Sequence, residues 1–357
     1  MKLVYYKYLT VYITPLVVLF SLFKTNYWSY FALFFIFGII PLLELFTKEN
    51  ESNFSKIEED LAAKDPIYDW IIYGLVPLQF GILMYFLHQV SSNDVSLAVK
   101  FGWTAAYGIS CGVLGINAAH ELGHRSTSNE RMMSKMLLFT SVYMHFYIEH
   151  NRGHHKNVAT EEDPATSQFG ESVYAFYLRS ICKGWLSAWS LESNRLKVDK
   201  KPIWSVHNQM LGFQILQLTL VFFLVIFFGS STAGYFLAGA FIGILLLETV
   251  NYIEHYGLKR KMKGQRYERT LPSHSWNSNH PLGRLLLLEL SRHSDHHFIA
   301  SRKYQLLRHH EESPQMPTGY PGMMLLSFIP PIWFYVMHQQ LKKFRYLPEA
   351  LHQKTNV

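Results

Sequence analysis

Residues 28 to 46, WSYFALFFIFGIIPLLELF, carry a single charged side chain, Glu44, in an otherwise apolar run. A helix needs roughly 20 mostly apolar residues to cross the hydrocarbon core of a bilayer, so this stretch predicts a membrane span. Hydrophobic residues make up 49% of the 357 residues, and charged residues make up only 17%. This composition predicts an integral membrane protein with substantial polar parts.

Five further apolar runs have the length of a span, and the six runs lie in pairs at residues 8–23 and 28–46, 68–90 and 97–119, and 210–229 and 233–252. The first run begins near a lysine, as a signal peptide does, but no small-residue cleavage site follows it, so we expect a retained span. Residues 320–338 are also apolar, but Pro330 and Pro331 interrupt them and predict a buried or interfacial cover. The predicted fold is all-α, one integral-membrane domain over residues 1–357, with six transmembrane helices in three hairpins and a cytoplasmic helical cap.

Lys and Arg concentrate in two long polar segments. Of the 33 in the chain, eleven fall in residues 125–209 and fifteen in residues 258–357, whereas the tight hairpin turns hold almost none apart from Lys24. The positive-inside rule therefore places both segments and both termini in the cytoplasm. The net charge of +7 lies largely on that face, where it could meet anionic lipid headgroups or an acidic protein. We expect no nucleic acid partner, because no recognised binding module is visible.

The two cysteines, Cys111 and Cys182, offer neither a disulfide framework nor a C-x-x-C pair for an iron–sulfur or rubredoxin-type centre. No glycine-rich nucleotide fingerprint is present either. Any redox chemistry in this chain must therefore take its electrons from a separate carrier.

Half of the 18 histidines fall into four compact groups: His120 and His124; His150, His154 and His155; His255; and His293, His296 and His297. Residues three and four apart share one face of a helix, so each group with several histidines can aim its imidazoles at a common point. All four groups lie on the predicted cytoplasmic side. Isolated histidines such as His88, His145, His207 and His338 are expected to be structural.

The stretch HELGH, residues 120–124, matches the zinc-protease pattern H-E-x-x-H. A catalytic zinc takes about three protein ligands, which would leave most of the nine clustered histidines unexplained, whereas two metals account for them. Imidazole suits Fe, Zn, Cu and Ni alike, so the ligands alone do not identify the metal. An intramembrane zinc protease would need a further acidic motif that we do not find. A metal transporter would carry ionisable residues deep in several spans. Both stay as less favoured alternatives.

The blocks NAAHELGHR, EHNRGHHKNVATEEDPA, NYIEHYGL, HSWNSNH, LSRHSDHH and PTGYPGM carry a family resemblance. Over about residues 65 to 325 the sequence resembles the integral-membrane alkane 1-monooxygenases, a branch of the histidine-rich di-iron family that also holds membrane fatty acid desaturases. The resemblance implies O2-dependent oxidation of the terminal methyl of a linear alkane to a primary alcohol. A fatty acid desaturase or hydroxylase of the same family is the nearest alternative, and an alkene product would identify a desaturase.

The resemblance also implies a centre of two iron ions, since splitting O2 requires a metal that changes oxidation state. By this analogy the ligands are His120, His124, His150, His154, His155, His255, His293, His296 and His297, and no other catalytic residue is predicted. The implied electron donor is rubredoxin with an NADH-dependent rubredoxin reductase. We expect the chain in the inner membrane of a bacterium, with its active site on the cytoplasmic side.

Six residues near these histidines are candidates for outer partners that orient the ligands. The carboxylates adjoin a ligand histidine in sequence, and each could instead cap a helix or pair with a neighbouring arginine. The two histidines of the HSWNSNH block are expected to have an orienting or structural role. The candidates are Glu121, Glu149, Glu254, Asp295, His274 and His280.

Small residues in the fourth and sixth runs allow two interpretations. Gly108, Gly112 and Gly115 lie in the fourth run, and Gly239 and Gly243 lie in the sixth. Such spacings let two helices approach closely. Alternatively, the small residues leave a lumen for a linear substrate that enters from the lipid.

Overall fold

The computed structural model describes residues 5–92 and 94–344. Both chain ends lie outside the described residues, so the predicted placement of the termini, and residues 345–357 of the second polar segment, are not described. In chain order the helices are α1 (Tyr5–Phe23), α2 (Tyr27–Glu44), α3 (Lys56–Lys64), α4 (Ile67–Ser92), α5 (Leu97–Gly123), α6 (Ser128–Thr140), α7 (residues 146–157), α8 (Val173–Val198), α9 (Gln209–Phe228), α10 (Ser230–His255), α11 (Pro281–Leu286), α12 (His293–Phe298), α13 (Tyr320–Ser327) and α14 (Pro330–Lys343). Two short antiparallel strands, β1 (Met262–Lys263) and β2 (Arg266–Tyr267), form the sheet.

Six helices of the described chain are long and apolar enough to cross a membrane: α1, α2, α4, α5, α9 and α10. Each corresponds to one predicted run, so the prediction of an all-helical integral membrane protein with six spans is confirmed. The segment that was predicted not to span forms α13 and α14, of 8 and 14 residues, which are too short to cross the bilayer.

Polar residues at the helix ends define where the spans begin. The Asn208 side chain accepts a hydrogen bond from the backbone N–H of Leu211 and caps α9, and the Ser96 side chain caps α5 in the same way. Gly229 separates α9 from α10 with a φ of 86°, a left-handed conformation that favours glycine. The chain therefore turns between these two apolar helices through a single residue.

Helices α5 and α10 pack closely because small residues face one another along their interface. A Cβ atom added to Gly108 would come within 2.6 Å of Ile242 Cβ, and one added to Gly243 would come within 2.5 Å of Cys111 Cβ. These contacts are too short for any side chain larger than hydrogen. The two helices therefore run side by side toward their histidine-bearing ends.

Within residues 5–92 and 94–344, three helices contain a π-helical stretch, in which the backbone hydrogen bond reaches one residue further than in an α-helix. These stretches are Phe35–Ile39 in α2, Cys111–Asn117 in α5 and His150–His154 in α7. Such turns concentrate at functional sites. Two of the three lie beside or within the predicted histidine groups.

Helices α13 and α14 cover the last turns of α10. Trp333 and Met337 of α14 are fully buried, and the Trp333 ring lies 5.2 Å from that of Tyr252 and 5.3 Å from that of Tyr256, measured between centroids. This aromatic contact encloses the backbone around His255, the last residue of α10. The predicted buried cover therefore protects one of the four histidine groups.

Candidate metal centre

Four separate elements deliver the nine predicted ligand histidines to one region. Helix α5 carries His120, and His124 follows its last residue, while His255 ends α10. The other six lie on α7 and α12, as His150, His154, His155, His293, His296 and His297. The region is therefore built from chain segments that are far apart in sequence.

The imidazoles form two groups, and within each group the nitrogen atoms that could bind a metal lie within 4.8 Å of one another. The five-histidine group contains His120, His124, His150, His155 and His296, and the four-histidine group contains His154, His255, His293 and His297. These two sets include all nine histidines that the sequence motifs predicted. The motifs themselves are divided, because α7 and α12 each supply histidines to both groups.

Within the five-histidine group the Nε2 atoms converge. The Nε2 atom of His120 lies 2.9 Å from that of His296, and the Nε2 atom of His150 lies 3.0 Å from that of His124. His155 completes the group, at 3.1 Å from His150 and 3.0 Å from His296 between Nε2 atoms.

The four-histidine group is equally compact and fully buried. The Nε2 atom of His297 lies 2.8 Å from that of His293 and 3.1 Å from that of His154. His255 joins the group through a separation of 3.3 Å from His293. All of these contacts again involve Nε2.

The π-helical stretch in α7 explains how His150 and His155 reach the same group. In an α-helix residues five apart are rotated by about 140° relative to one another and point in different directions. A π turn, with its hydrogen bond from residue i to i+5, places them one above the other. It also turns His154 away from them toward the four-histidine group.

Both groups fit a first-row transition metal. Metal–nitrogen bonds of about 2.1 Å put ligands at right angles about 3.0 Å apart, which matches the observed Nε2 separations of 2.8 to 3.3 Å. A neutral imidazole donates a hydrogen bond from only one nitrogen, so hydrogen bonds alone cannot satisfy so many converging Nε2 atoms. A cation at the centre of each group removes this conflict, and the donor set is that of a metal site.

The protonation state of the histidines agrees with metal binding. Burial lowers the pKa of His124 to about 3, and burial with the neighbouring histidines lowers the pKa of five others well below the usual value: His150, His155, His293, His296 and His297. These imidazoles are neutral at pH 7, as ligation requires. Burial also acts on His154, but the Asp163 carboxylate outweighs it and raises the pKa of this residue.

An apolar cavity leads from the membrane helices to the two groups. Ile36 and Phe37 of α2, Gly112 of α5 and Leu246 of α10 line its apolar part. Its other end is formed by His120, His150 and His293, together with Asn117, Asn251 and Glu254. No Lys or Arg lines the cavity in the part of the chain that the structure describes.

Comparison with known proteins identifies the family to which this chain belongs. A fatty acid desaturase family model matches residues 96–340, a range that holds all nine histidines. The chain is 39% identical to the alkane 1-monooxygenase of Acinetobacter baylyi over 323 residues, which are 89% of this chain and 78% of that protein. The alkane 1-monooxygenase of Ectopseudomonas oleovorans is 40% identical over 83% of this chain and 74% of its own length.

The chain belongs to the alkane 1-monooxygenase family. A more distant relative is the xylene/toluene monooxygenase hydroxylase component of Pseudomonas putida, 27% identical over 73% of this chain and 70% of that protein. The resemblance read from the sequence motifs is thereby confirmed, and the chain is an oxidoreductase of the monooxygenase class. His120 and His124 of the HELGH stretch belong to the five-histidine group, and Glu121 between them forms an ion pair with Arg125 at 2.7 Å.

Asp163 is an outer partner that sequence reasoning missed. Its carboxylate accepts a hydrogen bond of 2.8 Å from Nδ1 of His154, on the ring edge opposite Nε2, the atom that faces the other histidines of the group. Burial raises the pKa of Asp163, but His154 outweighs burial and the net pKa is lowered. The only sequence signal was its place in the block EHNRGHHKNVATEEDPA, eight residues beyond the last histidine. This carboxylate fixes the orientation and the tautomer of His154 in the way expected of outer partners in metal sites.

The four predicted carboxylates have different surroundings. Glu254 contacts the centre, since its Oε2 lies 3.2 Å from Nε2 of His293. Asp295 instead binds Arg302 at 2.6 Å and His310 at 2.7 Å, and so holds the segment that follows α12.

Glu149 and the two histidines of the HSWNSNH block lie outside both histidine groups. Glu149 is buried beside Asp163, and burial followed by that neighbouring charge raises the pKa of Glu149 to about 8. Nε2 of His274 lies 3.3 Å from a carboxylate oxygen of Glu268. Nδ1 of His280 lies 3.2 Å from the Ser278 hydroxyl. The contacts of His274 and His280 support a structural role for both.

Proposed function

We propose that this chain hydroxylates the terminal methyl of linear alkanes to primary alcohols with O2. The observation that carries the proposal is the apolar cavity, which runs among the membrane helices and ends at His120, His150 and His293. An alkane dissolved in the bilayer has no polar group to recognise, so only the shape and the apolar lining of such a cavity can hold it. Its histidine-lined end would present one terminus of the alkane to the metal centre.

We propose further that the nine histidines bind two iron ions, one in each group. Iron changes oxidation state and so supplies the redox chemistry with O2 that zinc cannot supply. The protein contributes neutral imidazoles held by four elements, a hydrogen bond from His154 to Asp163, and a dry apolar approach. Five histidines in one group and four in the other would make the two ions chemically distinct.

Glu254 is proposed as the residue that positions the cavity end of the four-histidine group. Its Oε1 accepts a hydrogen bond of 2.7 Å from the Tyr320 hydroxyl, while its Oε2 faces His293. Tyr320 is fully buried and belongs to α13. The covering helix therefore fixes a carboxylate at the point where substrate and metal would meet.

Electrons are proposed to come from a rubredoxin-type carrier that an NADH-dependent reductase reduces. The two cysteines do not form a redox pair, because Cys111 is buried and Cys182 is exposed. The excess of Lys and Arg in the polar segments would attract an acidic carrier and make its association sensitive to salt. By the positive-inside rule, the same excess supports a helical cap on the cytoplasmic side that carries the centre. The six spans, arranged as three hairpins, are proposed to lie in a bacterial inner membrane.

A desaturase that acts on fatty acids is the second candidate, because the matching family model bears that name. The described lining of the cavity offers no Lys or Arg to an acid headgroup, which favours an uncharged alkane. The decisive experiment supplies iron-loaded protein with rubredoxin, its reductase, NADH, O2 and a mixture of alkanes and fatty acids. Primary alcohols are the expected products. Alkenes, or unsaturated acids alone, would identify a desaturase.

A measurement of metal content tests the centre independently of turnover. We expect about two iron ions per chain, and fewer after replacement of His154 or His296 by Ala. A single zinc ion per chain, with no bound iron, would contradict the di-iron proposal.

A further inference from the structure

A second cavity lies at the start of α1, away from the apolar cavity. Its lining differs completely from that of the apolar cavity. Four basic side chains face it, Lys7, Arg284, Arg292 and Arg308, together with the acidic Glu59 and Glu289. We call it the basic cavity.

The charges of the basic cavity do not cancel. Arg308 is paired with Glu59. In the described lining Glu289 is the one remaining carboxylate, and it lies 2.7 Å from Arg284, 3.8 Å from Arg292 and 3.9 Å from Lys7. Three cations therefore share one anion, which leaves two positive charges in excess.

Backbone carbonyls accept further hydrogen bonds that the guanidinium groups of Arg284 and Arg292 donate. Nη1 of Arg284 donates to the Asn50 carbonyl at 2.6 Å, and Arg292 donates to the carbonyls of Leu307 at 2.7 Å and Ser52 at 2.9 Å. These carbonyls orient the side chains but do not neutralise them. The side chains of Arg284 and Arg292 are only 4% and 6% exposed, so the excess charge is buried at a considerable cost.

The backbone that carries Glu289 is strained. Leu288 and Glu289 have φ angles of 54° and 59°, in the left-handed region that side chains with a Cβ atom rarely adopt. The Glu289 N–H donates to the Arg284 carbonyl at 2.7 Å and closes this turn. Strain of this kind persists where surrounding contacts enforce it, and it concentrates at functional sites.

We propose that the basic cavity binds a phosphate group. Guanidinium groups recognise phosphate oxygens through paired hydrogen bonds, and a lysine adds a point charge. Lys7 and Tyr8 belong to the first turns of the membrane helix α1, so the cavity lies at the level where lipid headgroups meet the protein. The phosphate source is an anionic phospholipid headgroup or free phosphate, which share this chemistry.

Thermal unfolding of the iron-loaded protein in a nonionic detergent tests the proposal. The unfolding midpoint is titrated with phosphatidylglycerol, phosphatidylcholine and inorganic phosphate in separate series. A saturable rise with phosphatidylglycerol that exceeds the rise with phosphatidylcholine identifies an anionic lipid as the source. A saturable rise of the midpoint with inorganic phosphate, and no rise with either lipid, identifies free phosphate as the source.

The variants Lys7→Gln and Lys56→Gln form a matched pair, since both remove one positive charge but Lys56 on α3 is exposed and does not line the cavity. We expect Lys7→Gln to weaken the apparent affinity about fivefold and Lys56→Gln to leave it unchanged. Arg284→Lys keeps the charge but loses the planar pair of donors, so it should also weaken binding. Absence of a saturable response, or equal responses from the two lysine variants, would overturn the proposal.

Discussion

Asp163 lies outside both histidine groups, but its carboxylate is hydrogen-bonded to His154, a member of the four-histidine group. It holds Nδ1 of His154, so replacement of Asp163 by Asn should lower the metal affinity of the four-histidine group by roughly 10- to 100-fold. Titration with a competing chelator, followed by metal analysis, measures this loss.

The matched control is Asp295→Asn, since Asp295 also adjoins the ligands in sequence but binds Arg302 and His310 instead. We expect this variant to keep its metal affinity and to lose thermal stability. Equal metal affinities for the two variants would show that Asp163 has no special role.

Gly112 and Gly243 looked equivalent in the sequence, but the structure separates them. Gly112 lines the apolar cavity, and a Cβ atom there would approach the Leu246 side chain at 3.1 Å, which a small movement relieves. Replacement of Gly112 by Leu should therefore shift the product mixture toward shorter alkanes while iron content is retained. The distribution of alcohol products from a mixed substrate measures the shift.

A Cβ atom at Gly243 would lie 2.5 Å from Cys111 Cβ and 3.1 Å from the Gly112 backbone nitrogen, where no flexible side chain can move away. Gly243→Leu should cost about 1–3 kcal/mol of stability and lower the folded yield.

An unaltered chain-length profile in folded, iron-loaded Gly112→Leu protein would contradict the placement of the substrate in the apolar cavity.

At the scale of single elements, the π turn at His150–His154 predicts the effect of a one-residue insertion. One alanine inserted after Asn151 puts His150 and His155 six residues apart, which turns them about 120° away from each other in an α-helix. The five-histidine group then loses a ligand, and bound metal should fall from about two ions per chain to about one. The variant Asn151→Ala keeps the backbone register and should retain both ions.

Helix α8 is tied to its neighbours through Glu192, a fully buried carboxylate that accepts from Arg152, Arg195 and the Gln209 backbone N–H. Burial raises its pKa, but these hydrogen bonds outweigh burial and bring the pKa from 4.5 down to about 2. Because the folded state binds the proton more weakly than the unfolded state, Glu192 stabilises the protein above pH 4.5 and loses this effect as the pH falls toward 2.

The variant Glu192→Gln should therefore unfold with a free energy about 2 kcal/mol lower than the unsubstituted protein at pH 7. The difference should shrink as the pH falls below 4.5. Denaturant unfolding of both proteins across this pH range measures it, and a difference independent of pH would exclude the charged hydrogen bonds as its source.

The elements that could be predicted from sequence are those whose cause is local. Each membrane helix follows from a run of apolar residues, and the nine histidines stand out by their spacing. The helix ends were less accurate: α5 continues to Gly123 instead of residue 119, because its last turn is held by tertiary contacts such as that of Ser134 with the Ala119 carbonyl. Apolar composition does not report such contacts.

The division of the histidines between two groups could not be predicted for the same reason. Spacings of three and four residues favour a shared helical face, but the pair His150 and His155 needs a π turn. No local propensity in HNRGH specifies that turn. The contact of Asp163 with His154 likewise depends on how residues 158–166 fold back on α7.

At the scale of the whole molecule, the proposed di-iron centre would join four elements that are otherwise held by packing alone. Metal that binds only the folded state stabilises it, so removal of iron by a chelator should lower the unfolding temperature markedly. Readdition of ferrous iron should restore the original value. An unchanged unfolding temperature after complete iron removal would mean that packing alone holds the centre in place.

The Nε2 atoms of His120 and His296 lie 2.9 Å apart, yet 176 positions separate the two residues along the chain. A ribosome that adds roughly 5–20 residues per second needs about 10–35 s to cover that distance. Throughout this interval the HELGH pair has been synthesised while its partners on α12 have not. Simple imidazole sites bind copper and zinc more tightly than ferrous iron. Under the di-iron proposal, iron therefore completes the centre only after α12 has been made, and any zinc or copper captured during translation has to leave first.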